Sequence, residues 1–308
     1  MTGEILKQEI ITELKQYLPT ERILEQEPMS RHTTFRVGGP ARLFLEIATQ
    51  EELKSTIQLL NDAGETYYLL GNGSNLLVSD SGYRGVIIQM DRNMEEIRLD
   101  GEEIHACAGA LLSSVAVAAR NASLTGFEFA GGIPGTIGGA AVMNAGAYGG
   151  ELKDVLKEVT VMTREGEILT IPADKLEMGY RTSIIKTAGY LVLEAVISLK
   201  KGDEEKIRAV MKELSERRTE KQPLDYPSAG STFKRPEGYF AGKLISDAGL
   251  KGKTIGGAQV SEKHAGFIVN IGGASTKDIL DLIAFCQKTV QEQFGVTLET
   301  EVKIVGER

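Results

Sequence analysis

The chain has 308 residues, 42% of them hydrophobic and 25% charged, enough for two or three modest cores and so for a cofactor domain beside a substrate domain. Its 43 acidic residues outweigh 35 basic ones, a net charge of −8 that argues against nucleic acid or an anionic membrane surface as partner. Cys107 and Cys286 lie far apart in apolar stretches, and His32, His105 and His264 lack metal-ligand spacing, so neither a disulfide nor a metal is expected.

Residues 4–18 carry Ile5, Leu6, Ile10, Leu14, Tyr17 and Leu18 at helical spacing and stop at Pro19, which predicts an amphipathic helix covering the body. The opening MTGEILKQEI lacks the charged-then-apolar layout of a signal peptide, and no apolar run reaches spanning length, so a cytoplasmic location is expected. Residues 31–90 read as short strands around a helix at 50–63, and 91–200 as strands flanking a helix at 111–121 and a hairpin turned by Arg164-Glu165-Gly166-Glu167. These are expected to be two lobes of one domain. Residues 191–199 form a strand, Lys200-Lys201-Gly202-Asp203 breaks the pattern, and a helix runs from 204 to about 220, placing a boundary near residue 201. A second long helix spans 276–294.

Two glycine segments carry the chemistry. An apolar strand at 66–70 enters Gly71-Asn72-Gly73-Ser74-Asn75, after which Leu76, Leu77 and Val78 resume the run; alone, this reads equally as an Asn-Gly tight turn. Residues 126–150 hold nine glycines among Ile133, Pro134, Ile137, Val142 and Met143, which is no flexible spacer. Together they point to backbone amides converging on a phosphate-bearing cofactor. Neither opens a helix with GxGxxG, and no GxxxxGK[ST] occurs, so a Rossmann unit and a P-loop are poor fits.

Other polar residues have bland readings in isolation. Arg181 reads as a surface ion-pair residue and Ser231, between Gly230 and Thr232, as a turn hydroxyl or cap. Glu299 and Glu301 fall on one face of the strand-like run 298–305 and read as solvated. Arg217, Arg218 and Lys221 read as a solvated helix end that suits the helix dipole.

The paired glycine segments resemble the FAD-binding domain of the vanillyl-alcohol oxidase type. Residues 32–39 (HTTFRVGG), Gly179-Tyr180-Arg181-Thr182-Ser183, 227–236, Ala241-Gly242-Lys243-Leu244-Ile245 and Leu298-Glu299-Thr300-Glu301-Val302 are similar to the UDP-N-acetylenolpyruvoylglucosamine reductase family, over nearly the whole chain. The resemblance implies an α+β fold: a lead-in over 1–30, a two-lobed FAD-binding domain over 31–200 divided near residue 90, and a C-terminal α+β substrate-binding domain over 201–308. It implies noncovalent FAD held by Gly71, Asn72, Gly73, Ser74 and Asn75, by Gly132, Ile133, Pro134, Gly135, Thr136, Gly138, Gly139, Asn144 and Gly146, and by Arg218. NADPH would deliver hydride and leave before UDP-N-acetylglucosamine enolpyruvate is reduced, in peptidoglycan precursor synthesis.

In the family pattern Arg181 and Glu301 stabilise the charge that hydride addition leaves beside the substrate carboxylate, and Ser231 protonates it. A serine hydroxyl is a weak acid, yet a carbanion is basic enough to take its proton. Tyr180 and Lys221 would meet the substrate, the lysine at the diphosphate. One branch of the family has an asparagine where this chain has Arg235 and an inserted tyrosine segment for which there is no room here. The chain therefore resembles the shorter branch, with Arg235 and His264 as candidates for compensating UDP contacts. An oxidase or dehydrogenase of the same flavin fold, or a non-catalytic nucleotide binder, would share the glycine segments without needing Arg181, Ser231 and Glu301. A monomer is the default expectation.

Overall fold

The computed structural model describes residues 2–90 and 94–306, with side chains from residue 8 onward. Contacts divide the chain into two units assembled from interleaved segments. The first comprises the chain up to Glu25, Leu43–Gly71 and Gly85–Arg217; the second comprises Gln26–Arg42, Asn72–Arg84 and the chain from Arg218.

In the first unit, helix α1 (Thr2–Leu14) buries Ile10, Ile11 and Leu14 in one cluster with Leu53, Ile57 and Leu60 of α2 (Gln50–Asp62). The side chains of Ile5 and Leu6, part of the expected helix pattern, lie outside the described residues. Helix α2 starts at Thr49, whose hydroxyl accepts the Glu52 amide hydrogen at 3.1 Å. Both Glu52 carboxylate oxygens accept from the Arg22 guanidinium, at 2.8 and 2.6 Å. Burial alone would raise the Glu52 carboxyl, but the bonds from Arg22 and from the Ala48 and Thr49 backbone hold it below its ordinary range. Strand Tyr67–Leu70 closes one edge of a four-stranded sheet by pairing in parallel with Tyr83–Met90, Leu70 opposite Gln89.

A second, five-stranded antiparallel sheet orders Ile168–Pro172, Leu156–Met162, Leu191–Ser198, Glu103–Cys107 and Ile97–Asp100. The hairpin at its edge closes through Gly166 N–H on Thr163 O at 3.1 Å and Thr163 N–H on Glu167 O at 2.8 Å, where the sequence places a turn. Val159, Val161, Ala195 and Ile197 are buried with residues of α3 (Leu112–Asn121) and α4 (Ile137–Met143). Helix α4 lies inside the glycine segment that reads as loop in the sequence. Two adjacent glycines are poor helix formers, and tertiary bonds override them: Ile137 N–H donates to Ala110 O at 2.8 Å and Gly138 N–H to Ala108 O at 2.9 Å. The short α5 (Ile184–Ala188) follows, and α6 (Glu204–Lys221) packs Met211 onto the same core before its last turn enters the second unit.

The second unit contains α7 (Ala241–Asp247) and α8 (Thr276–Phe294) with the antiparallel strands Thr254–Ile255, Ala258–Val260 and Ile268–Asn270. Helix α8 opens with a reciprocal capping box between Ser275 and Asp278, and Asp80 accepts the Thr276 and Lys277 amide hydrogens at 2.8 Å each. The expected division near residue 201 is not where these contacts divide the chain. Phe35, Val37 and Leu77 are buried with Phe233, Ile245, Ile283 and Cys286, and Leu76–Val78 pairs in parallel with Lys303–Val305. Segments 26–42 and 72–84 therefore belong with the C-terminal residues.

Among the described residues no group of His, Cys, Asp and Glu could hold a metal ion, and no helix is long and apolar enough to cross a membrane. Cys107 and Cys286 are free thiols, and burial pushes Cys286 up to about 12.

Candidate active site

Within the first unit, Gly71 at the start of the shorter glycine segment meets the longer one. A Cβ built at Gly71 would stand 2.6 Å from Thr136 Oγ1, and Gln89 Nε2 donates to the Gly71 carbonyl at 3.0 Å. Thr136 caps α4 by accepting the Gly139 amide hydrogen at 3.3 Å. Gly132, Ile133 and Gly135 are partly exposed, and Pro134 and Gly139 are exposed. From 132 to 139 no side chain is acidic; Pro134 has no N–H and the amides of Ile133, Ile137, Gly138 and Gly139 bond within the protein, so the amides of Gly132, Gly135 and Thr136 with the Thr136 hydroxyl form the donor set suited to an anion such as the FAD pyrophosphate. Gly138 is buried with its amide on Ala108, and Gly146 belongs to a short strand pair with Gly150–Glu151.

Asn144, expected to touch the cofactor, is buried and fully engaged with protein. It ends α4 at φ 44°, donates from Nδ2 to Glu151 Oε2 at 2.9 Å and Gly179 O at 3.1 Å, and accepts the Lys153 amide hydrogen at 3.0 Å. Gly179 begins the turn that carries Arg181. Gly179 and Thr182 exchange backbone bonds at 3.1 and 3.4 Å, Arg181 takes φ 56° at the turn, and Ser183 Oγ donates to Val142 O at 2.9 Å. The Arg181 guanidinium lies 5.3 Å from the centroid of the half-exposed Tyr180 ring. Arg181 is thus tied to the C-terminal end of α4, in the first unit.

Ser231 and Glu301 come together in the second unit. Phe233 bridges Thr300, Lys234 N–H donates to Glu299 O at 2.8 Å, and Glu301 N–H donates to Thr232 O at 2.8 Å. Thr232 is buried and bonded through both backbone and side chain: its N–H donates to Gly266 O at 2.9 Å and its Oγ1 accepts the Ile268 amide hydrogen at 3.1 Å. Ser231, one residue before it, is exposed. Glu299 and Glu301 separate in environment: Glu299 is exposed and bonds Lys234 Nζ at 2.7 Å, which lowers its carboxyl, whereas Glu301 is half-buried. The run 298–305 is a strand only at Lys303–Val305.

The 72–75 turn reaches the same pairing. Thr34 N–H donates to Gly73 O at 3.2 Å, and Gly73 sits at φ 61°, where an added Cβ would collide with the His32 carbonyl oxygen. Asn75 Nδ2 donates to Glu301 O at 3.3 Å, and Lys303 N–H donates to Asn75 O at 3.0 Å. Asn72 is exposed and Ser74 partly exposed. No periodicity signals the link from Asn75 to Glu301; it arises from a parallel pairing between segments over two hundred residues apart.

Arg218 and Lys221 end α6, the lysine exposed, and Lys263 Nζ donates to Thr219 O at 2.6 Å. Arg235 stacks over the exposed Phe240 ring at 3.8 Å, a partner the sequence offers only as an apolar residue beside the Ala241-Gly242 motif. His264 is half-buried: Nδ1 accepts the Gly266 amide hydrogen at 3.1 Å, and the ring packs edge-on against Phe267 at 4.8 Å. Burial pushes its imidazole below the usual value, and Lys251 adds to the shift.

Residues 41–172 match an FAD binding domain, and residues 222–305 match the C-terminal domain of UDP-N-acetylenolpyruvoylglucosamine reductase. The chain is 51% identical over 303 residues to the UDP-N-acetylenolpyruvoylglucosamine reductase of Lachnoclostridium phytofermentans, covering 97% of this chain and 98% of that one. It is 50% identical over 300 residues to the reductase of Clostridioides difficile, covering 97% and 99%. The crystal structure of the Thermus caldophilus reductase superposes with a TM-score of 0.81 at 37% identity, covering 92% of this chain and 99% of that one.

Proposed function

The chain belongs to the UDP-N-acetylenolpyruvoylglucosamine reductase family, and on that premise we propose how its residues divide the work. It is an FAD-dependent oxidoreductase that reduces UDP-N-acetylglucosamine enolpyruvate in peptidoglycan precursor synthesis, with NADPH as hydride donor. FAD, when bound, supplies the hydride chemistry.

In this proposal the amides of Gly71 to Asn75 and those of Gly132, Gly135 and Thr136 hold the FAD pyrophosphate, Arg218 lies near the flavin side, and the C-terminal segment receives the UDP-sugar. Addition of hydride at the terminal enolpyruvyl carbon leaves negative charge at the carbon next to the carboxylate. The Arg181 guanidinium stabilises that charge together with Glu301. Ser231 Oγ gives the proton that completes the reduction. Tyr180, Lys221 and Arg235 contact the UDP-sugar, Arg235 from its stacked position on Phe240. The same reading takes the protein to be a monomer in the cytoplasm.

The observation that carries the assignment is the short pairing of 232–234 with 299–301, which sets the exposed Ser231 hydroxyl one residue from the partner of the Glu301 backbone. The test is optical. The purified protein should absorb in the visible, bleach with NADPH and recolour with the enolpyruvyl UDP-sugar. A preparation that takes up no flavin, or bleaches and does not recolour with that sugar, would refute the proposal.

A further inference from the structure

We propose that His264 is a positioning residue for the proton-donating edge, acting through Gly266 and Thr232 on Ser231 and Glu301. The proposal rests on Ser231 as proton donor and on a continuous run of hydrogen bonds. Gly266 N–H donates to His264 Nδ1 at 3.1 Å, Thr232 N–H donates to Gly266 O at 2.9 Å, and Glu301 N–H donates to Thr232 O at 2.8 Å. Gly266 therefore lies between the imidazole and the residue next to Ser231, bonded to one through its N–H and to the other through its carbonyl.

Only one form of the ring fits. Nδ1 can accept only as a lone pair, so the ring is neutral with its hydrogen on Nε2. Protonation would set Nδ1–H against Gly266 N–H, two donors face to face. Burial, which disfavours the charged ring, and the neighbouring Lys251 cation lower the imidazole further and outweigh a backbone hydrogen bond at His264 that acts the other way. The ring is also wedged: a Cβ at Gly266 would stand 3.0 Å from its Cε1 and one at Gly242 3.3 Å from the same atom, so two glycines make its berth, and Phe267 closes the edge. A side chain accepting from the N–H two residues on is the geometry asparagine adopts in an Asx turn. His264 thus does an Asx-like task with a rigid ring, whatever its Nε2 edge meets, and the turn it holds presents the Gly266 carbonyl to Thr232.

The experiment compares His264→Phe with His264→Asn in the flavin-loaded, full-length protein. Phenylalanine keeps the ring and its packing but loses the acceptor; asparagine loses the ring and keeps an acceptor two residues before the amide. Reduction of the flavin by NADPH should proceed at the parental rate in both. Reoxidation by UDP-N-acetylglucosamine enolpyruvate should slow roughly ten- to a hundredfold in the phenylalanine variant, the scale of a misplaced reacting group, and return to within about threefold of parent with asparagine. Hydrogen exchange at the Gly266 and Thr232 amides should quicken with phenylalanine only. Equal slowing by both variants, or parental reoxidation in the phenylalanine variant, overturns the proposal. Should that variant not fold, nitrogen NMR of the parent's labelled histidines decides: an Nε2–H tautomer at His264 supports the bond, and an Nδ1–H tautomer overturns it. Failure of the underlying assignment looks different, because Ser231→Ala would then reoxidise at the parental rate with the Gly266 exchange pattern intact.

Discussion

The Glu301 amide hydrogen lies on the Thr232 carbonyl at 2.8 Å, so the backbone of one proposed catalytic residue is bonded to the immediate neighbour of the other. Thr232 is itself buried and anchored by Gly266 and Ile268, so neither Ser231 nor Glu301 depends on a flexible loop for its place. Preorganisation of this kind is what a proton transfer to a short-lived carbanion requires.

Ser231→Ala removes the proposed donor without touching these backbone bonds. Flavin reduction by NADPH should survive, and sugar-dependent reoxidation should slow roughly a hundredfold or more, the usual scale for a positioned acid. Stopped-flow absorbance of the two half-reactions measures both, and equal slowing of the two would point instead to damage at the flavin. Glu301→Gln should likewise spare the first half-reaction.

Valine at Gly71 or Gly73 should leave a flavin-poor protein. At Gly71 the new Cβ would press within 2.6 Å of Thr136 Oγ1, the cap of α4, and at Gly73 it meets the His32 carbonyl at φ 61°, a region β-branched residues avoid. The ratio of visible to ultraviolet absorbance after purification reads flavin content. Full loading in both variants would remove the 71–75 segment from the cofactor site.

Asn144→Asp isolates the two hydrogens that Asn144 gives to Glu151 and Gly179. Aspartate keeps the acceptor for Lys153 N–H and tolerates the left-handed backbone, but it sets oxygen against oxygen at both former bonds. Loss of about 2–3 kcal/mol of unfolding free energy is expected, the cost of buried polar groups left unmatched. Reoxidation should slow as well, because the Arg181 turn loses its tether, while flavin loading persists. A folded variant that loses flavin and keeps its stability would return Asn144 to the cofactor.

How much of this was legible in the sequence follows from how local each signal is. Helix α8 spans the 276–294 that the sequence predicts, and the 164–167 turn closes as its glycine demands. The partition of segments 26–42 and 72–84 was not legible, because it rests on a parallel pairing of Leu76–Val78 with Lys303–Val305, and parallel partners leave no turn signal between them. The same holds in the site. Arg181, Ser231 and Glu301 stand in recognisable motifs, whereas Asn144, Thr232 and Phe240 act through neighbours that only the folded chain supplies.

Acid should weaken the first unit partly through Glu52. Its folded carboxyl is held below the ordinary range, so its contribution is fully present above the unfolded value and is lost as pH falls through the folded one. Unfolding free energy from denaturant titrations should therefore drop between roughly pH 5 and pH 3. In Glu52→Gln that slope should be shallower, and at neutral pH the variant should already be less stable by about 1.5–3 kcal/mol, the worth of bonds to a charged partner. An unchanged slope would show that the pair with Arg22 does not persist in solution.

Arg235→Ala tests the proposed UDP contact of the short branch. Arg235 is exposed and held over Phe240 at 3.8 Å, and stacking restricts the orientations of its guanidinium. If it bonds the nucleotide, its removal costs a charge-assisted bond of about 1.5–3 kcal/mol, so the dissociation constant of the UDP-sugar should rise on the order of tenfold or more. Phe240→Leu, which keeps the charge and removes the platform, should give a smaller loss in the same direction. Titration calorimetry with the oxidised protein measures both, and NADPH reduction of the flavin serves as the unchanged control. Binding as tight as the parent's in Arg235→Ala would leave Arg235 a surface residue and move the compensating contact elsewhere.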